Sequence, residues 1–254
     1  MAYPFEWGAA TNIGEVREAN EDAFVAEPEM GLFLALDGLG GHAAGDVAAA
    51  AAAKDLPAII RENLDSMKAR RSRAIRQRLT RLICEQSGRL HLQGLTQSGC
   101  EGMGATLAAV LFLGGRAYVA NLGDSRVYRL RAGRLVRLSR DHSVVHELVE
   151  QGEIEADDAM THHARNLVTE YLGMPGEVHP YVRSYAVKRE DCFLLCTDGL
   201  TDQVKEATVG ELLRGHSDCQ AACEQLVEMA NASGGLDNVT VMLVRWIEEP
   251  GERS

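Results

Sequence analysis

The sequence predicts an α+β fold in which antiparallel sheets lie stacked and flanked by helices. Three observations carry that expectation. Strand-like segments come in groups and helix-like segments are grouped between them, an order that suits segregated layers better than a βαβ winding. Several of the strand-like runs are apolar almost without interruption, as buried strands are. No Pro/Ser/Gly-rich linker, low-complexity break or fixed-period repeat divides the 254 residues, so one domain spanning 1–254 is expected.

The elements follow in order. "YPFEWGAAT", "DAFVAEP" and "GLFLALD" read as three strands punctuated by turns. After a glycine cluster, residues 43–64 are alanine-rich, and alanine has the best helix propensity. Residues 66–93 continue as a second helix, with Ile75, Leu79, Leu82, Ile83 and Leu90 near helical spacing. The glycines from 99 to 104 break that pattern. Residues 105–139 then read as a meander of short strands joined by Gly-Gly and Ala-Gly turns. The segment 141–165 is acidic, weakly apolar and carries histidines, with a helix only near 144–151; it reads as a surface excursion, a mobile flap within the domain. Strands return near 182–187 and 192–197, helices near 207–214 and 218–232, and a last strand over 239–246.

Composition narrows the function. With 46% hydrophobic and 25% charged residues the chain has the make-up of a soluble globular protein. A net charge of −11 argues against nucleic-acid binding, which needs a basic footprint to neutralise phosphates. The charge is uneven: residues 68–81 carry seven basic side chains and no acidic one. That stretch reads as a solvated helix face, or else as a docking surface for an acidic partner. No uncharged apolar stretch reaches the roughly 18 residues of a membrane span, and the N-terminus lacks an export pattern. Six cysteines without an export signal read as buried thiols, so a cytoplasmic protein is expected.

The chemistry is written in the aspartates. "LFLALDG", "YVANLGD" and "CFLLCTDG" are apolar runs that each end on an aspartate, and Asp237 stands just before "NVTVMLV". Carboxylates at strand ends can converge on one rim, where they repel one another and need a cation between them. An all-oxygen set suits hard cations. Near the start, "REANEDAF" adds Arg17, Glu21 and Asp22, and "DGLGGH" follows Asp37 with glycines and His42. No C-x5-R or GxSxG nucleophile pattern appears.

"REANEDA", "DGLGGH", "GATLAAVLF", "VANLGDSRVYRLRAGRLVRLSRDHS", "LLCTDGLTD" and "DNVTVMLV", in that order, resemble the metal-dependent protein phosphatase type 2C family, in its short bacterial stand-alone form. The resemblance implies a four-layer α/β/β/α sandwich with two antiparallel sheets, and a binuclear Mn²⁺ or Mg²⁺ site at one end of them. It implies that Asp37 bridges the two metals and that the Gly38 carbonyl binds the second. Asp198 and Asp237 would hold the first metal, and Asp22, or Glu21 beside it, the second. Asp124 resembles a ligand that, with Asp198, supports a third and weaker metal. Arg17 matches a phosphate-binding arginine, held in a planar fork that lysine cannot reproduce.

The implied activity is hydrolysis of phosphoserine and phosphothreonine in proteins, opposing a bacterial Ser/Thr kinase of the eukaryotic-like type, by a monomer. One departure stands out. Where many eukaryotic relatives place a histidine after the Asp-Gly pair, this chain has Leu39. His42, three residues on, could protonate the leaving oxygen or could fix the helix start. The cluster His142, His146, His162 and His163 reads as loop histidines, with a metal site as the sharper alternative. Two rivals remain from other classes: a catalytically silent phosphate-sensing module, and a metal-dependent phosphodiesterase or nuclease.

Overall fold

Alternation along the central strands sets the architecture, because each is covered on both faces. The computed structural model describes residues 4–40, 43–68, 70–155 and 158–248. Strands β1 (Phe5–Asn12), β2 (Asp22–Glu27) and β3 (Leu32–Leu39) precede helices α1 (Ala43–Lys68) and α2 (Ser72–Thr96). The two-residue β4 (Gly104–Ala105) leads into β5 (Leu107–Leu113), β6 (Arg116–Leu122), β7 (Arg126–Arg131) and β8 (Arg134–Arg137). Helix α3 (Val144–Gln151) and a single 3₁₀ turn at Ala159–Thr161 lie between β8 and β9 (Tyr181–Ala186). The chain closes with β10 (Cys192–Cys196), the one-turn α4 (Asp198–Thr201), α5 (Glu206–Gly215), α6 (Cys219–Ala232) and β11 (Val239–Trp246).

Two antiparallel sheets result. One runs β2-β3-β5-β6-β9, with β4 paired to β3; the other runs β1-β11-β10-β7-β8. In β3, Leu32, Leu34 and Leu36 pack with α1 and α2, while Phe33 and Ala35 face the other sheet. In β10, Cys192, Leu194 and Cys196 pack beneath α5 and α6, while Phe193 and Leu195 face inward. The period-2 rule of a strand thus feeds two apolar layers at once. This is the four-layer sandwich, and it explains why the runs are apolar without alternation. The cysteines among these residues are free and mostly buried. Burial holds Cys196, Cys219 and Cys223 up at about 12, so they are inert thiols.

The expected meander over 105–139 needs correction. Strands β5 and β6 pair in one sheet, but β7 and β8 belong to the other. The chain changes sheets between Leu122 and Arg126, at "GDS". Local turn signals cannot reveal this, since a strand-turn-strand spacing is the same whether the second strand pairs back or crosses over.

An aromatic cluster joins the sheets. Phe112 stands 5.2 Å from Phe193 and 5.5 Å from Trp246, ring centre to ring centre, and Phe33 stands 5.2 Å from Phe5. Phe33 is fully buried. Phe33→Ala is expected to cost about 3–5 kcal/mol. Urea unfolding should show a lower midpoint with an unchanged slope.

Candidate active site

The inward faces of both sheets end in polar side chains at one rim. In β3 the parity that turns Phe33 and Ala35 inward also turns Asp37 inward, and Asp22 is its register partner across β2. In β10 the same parity carries on to Thr197, whose hydroxyl donates to Asp22 Oδ2 at 2.9 Å. The Thr197 hydroxyl in turn accepts from the Thr240 N–H at 3.0 Å. A side chain from the second sheet therefore grips a carboxylate of the first.

Two glycines bring the remaining backbone in. A Cβ on Gly38 would overlap the Gly45 carbonyl, so only glycine lets the first turn of α1 lie against β3 beside Asp37. A Cβ on Gly199 would overlap the Asn238 carbonyl, so only glycine lets Asp198, opening α4, sit against the Asp237–Asn238 pair. The Asp-Gly steps have a packing reason at both places.

Asn238 does the rest of the assembly. Its Nδ2 donates to the carbonyls of Ile13 and Ala19, each at 2.9 Å, and its Oδ1 accepts from the Glu21 N–H at 2.8 Å. This staples the loop that carries Arg17 to the start of β11. Arg17 then donates to Asp237 Oδ2 at 2.6 Å. Behind Asp37, Thr106 Oγ1 accepts from the Asp37 N–H at 3.2 Å and shares a 2.6 Å hydrogen bond with Ser125. Residue-type reasoning did not single out Thr106, Ser125, Thr197 or Thr240 as site residues, and quoted Asn238 only as the neighbour of Asp237. Inward parity past the aromatic layer was the available signal.

The structure thus gathers Asp22, Asp37, Asp124, Asp198 and Asp237 into one electrostatic neighbourhood. Burial pushes Asp37 and Asp198 well above the usual carboxylate range. The charges of Asp198, Asp22, Asp124 and Asp237 add to this at Asp37, and those of Asp124, Asp202, Asp237 and Asp22 at Asp198. Burial raises Asp22 to about 7 against the opposing pull of the Thr240 and Thr197 hydroxyls. Asp124 also rises to about 7, by burial and then by the charge of Asp141.

Glu21 is placed differently. Its carboxylate lies against Gly45 in the first turn of α1, while Asp22 faces Asp37. Both stay close to the site: Asp22 pairs in register with Asp37, and the charge of Glu21 acts on Arg17. His42 lies outside the described residues.

The flap residues divide as well. Asp141 is gripped by Arg126 Nε and Nη2 at 2.9 and 2.7 Å, and by Arg137 Nη1 at 3.0 Å. His142 Nδ1 accepts from the Gly123 N–H at 3.2 Å, so it braces the loop that carries Asp124; burial lowers its pKa. His162 and His163 stack at 4.2 Å. Among the described residues no histidine-based metal cluster forms.

A hard cation fits the donor set. Asp22 Oδ1 and Asp198 Oδ1 are buried without a hydrogen-bond partner among the described residues, a costly state for an oxygen that no cation or donor answers. As they stand the side chains converge without closing, and no three of them draw around one point tightly enough to cage an ion.

Comparison with known proteins decides the family. The family model described as protein phosphatase 2C matches residues 15–246. This chain belongs to the protein phosphatase 2C family. It is accordingly a metal-dependent protein phosphatase. Among its relatives, the serine/threonine phosphatase Stp of Listeria innocua is 35% identical over 237 residues, covering 92% of this chain and 93% of that one. The serine/threonine phosphatase of S. agalactiae superposes with a TM-score of 0.87 at 31% identity, covering 96% and 100% of the two chains. The catalytic domain of the phosphatase PstP, solved with two manganese ions, superposes with a TM-score of 0.81 at 31% identity, covering 96% and 99%. This phosphatase therefore shares both its fold and the bulk of its length with them.

A pH prediction follows from the carboxylates. Asp22 and Asp124 keep their protons to about pH 7 in the folded chain, against 3.8 ordinarily. The unfolded chain releases those protons first, so the metal-free protein should lose stability as pH rises from about 4 to 7. Saturating Mn²⁺ should reverse the loss. Thermal melts with EDTA and with Mn²⁺ should accordingly diverge with rising pH.

Proposed function

We propose that this phosphatase removes phosphate from phosphoserine and phosphothreonine in proteins, acting in the cytoplasm as a monomer against a Ser/Thr kinase of the eukaryotic-like type. The observation that carries the reading is the set of five converging aspartates, two of them with a buried oxygen left unanswered. The manganese-bound PstP relative supports the same metal chemistry here.

In this reading Asp37, the Gly38 carbonyl, Asp22 or Glu21 beside it, Asp198 and Asp237 would hold two Mn²⁺ or Mg²⁺ ions, and Asp124, near Asp198, would help to hold a third and weaker one. Two Mn²⁺ or Mg²⁺ ions, when bound, make water a nucleophile near neutral pH and neutralise phosphoryl charge. The chain's own residues do the positioning. Thr197 orients Asp22, Gly199 seats Asp198, and Asn238 holds the Arg17 loop in register with Asp237. Arg17 is half exposed at the rim, where its guanidinium can take two phosphoryl oxygens of an incoming substrate. A planar fork here favours a phosphomonoester, whose terminal oxygens are unsubstituted.

The rival readings fare worse. A silent phosphate sensor would be expected to lack a bridging carboxylate, and Asp37, Asp198 and Asp237 are all present. A nuclease would need a basic track for the nucleic-acid backbone, whereas the chain carries a net charge of −11 and Arg126 and Arg137 beside the site are already engaged by Asp141.

Asp37→Asn and Asp198→Asn should each lower Mn²⁺-dependent release of phosphate from a phosphothreonine peptide by about 10³-fold. Their far-ultraviolet circular dichroism should match the parent. Near-parental turnover in saturating Mn²⁺, or faster cleavage of a nucleic acid than of the peptide, would overturn the proposal. Arg17→Lys should raise KM more than it lowers kcat, because lysine keeps the charge and loses the fork.

A further inference from the structure

The basic stretch 68–81 is not explained by catalysis or by stability. It covers the end of α1 and the first half of α2. Arg71 is the N-cap of α2 and makes no side-chain capping bond, and the first turn contains no acidic residue. Helix N-termini carry partial positive charge and favour carboxylates, so arginines here work against the macrodipole. Pairing does not compensate. Lys68 meets Asp65 and Arg78 donates to Asn63, but Arg71, Arg73, Arg76 and Arg81 have no carboxylate partner among the described residues. That is notable in a chain with eleven more acidic than basic side chains.

The patch lies at the far pole from the aspartates. Helix α1 starts beside Gly38 and Glu21 and ends at Lys68, 26 residues on, or about 39 Å at 1.5 Å per residue. Ser72 at the start of α2 is tied to Ser184 of β9 by a 2.8 Å hydroxyl pair, and Arg116, opening β6, donates to the same Ser184. Arg116 therefore adds to the patch at the strand end opposite Asp124.

We propose that this basic pole docks an acidic polypeptide segment of the phosphoproteins on which the enzyme acts, which rests on the function proposed above. Charge complementarity selects the occupant's sign, and the surroundings select its class. Among the described residues, the large exposed hydrophobics are Trp7, Ile13, Val16, Phe24, Leu92, Leu95, Leu167 and Leu236, all outside 68–81. The patch offers neither an apolar face for a bilayer nor aromatics for stacking bases. Its distance from the cleft makes it a tether: an acidic tract held there raises the local concentration of a phosphorylated residue some 40 Å along the same partner.

The test uses one phosphothreonine peptide in three forms: alone, with an eight-residue Asp/Glu tract on a 5-residue Gly/Ser linker, and with that tract on a linker of about 40 residues. A 5-residue linker spans at most about 18 Å, whereas the longer one averages about 35 Å. The parent enzyme should show about tenfold higher kcat/KM on the long-linker peptide than on the bare one, through KM, and no gain with the short linker. The triple variant Arg71→Glu, Arg73→Glu, Arg81→Glu should lose that gain and keep the parental rate on the bare peptide. Its melting temperature should be equal or higher, since the carboxylates placed at 71 and 73 suit the helix terminus and Arg81 has no ion-pair partner to lose among the described residues. The gain should also shrink as salt rises from about 50 to 300 mM. Equal kcat/KM on bare and long-linker peptides, or a gain that survives the triple variant, overturns the docking proposal. Tighter cosedimentation with phosphatidylserine vesicles or duplex DNA than with the acidic tract also overturns it. Failure to hydrolyse the bare peptide would instead overturn the function itself.

Discussion

Mutual repulsion among buried carboxylates is the constraint on which the rest of this molecule turns. Burial and neighbouring charge both oppose ionisation of Asp37 and Asp198. A fold tolerates such a cluster only if its backbone is held from elsewhere, and here it is. The glycines at 38 and 199 allow backbone contacts that any side chain would block. Thr197 and Asn238 cross from one segment to another with hydrogen bonds of 2.8–2.9 Å. The aromatic layer behind them keeps the sheets stacked and keeps water from relaxing the charges from below.

Much of this was legible in the residues. The helix over 144–151 and the strand over 239–246 fall where local pattern puts them, because their boundaries are marked by turn residues and sustained periodicity. The aspartates announce themselves by interrupting apolar runs. What local pattern missed lies in long-range pairing. Nothing in "ANLGDSRVY" says that its two strands belong to different sheets, because both are buried on both faces and read alike. The placement of Glu21 and Asp22 was illegible for a related reason, because which of them pairs with Asp37 is a cross-strand fact.

The flap shows the two kinds of information side by side. Its low apolar content and its histidines mark it as a surface excursion, yet its base is tightly bound. Arg126 and Arg137 converge on Asp141, and Asn121 bonds the backbone of Arg140 through both ends of its amide. The bridge between Ser143 and Val168 closes the root from the other side. Variation beyond this root, away from Asp141 and His142, can therefore proceed without disturbing the loop that holds Asp124, a division that suits a segment near a substrate cleft.

The division of the aspartates between sheets has its own consequence. Asp22 and Asp37 come from one sheet, Asp198 and Asp237 flank strands of the other, and Asp124 sits on the crossing between them. Neither sheet alone owns a complete set. The aspartates therefore come together only where both sheets have been assembled, so the cluster is a product of the whole fold rather than of either half.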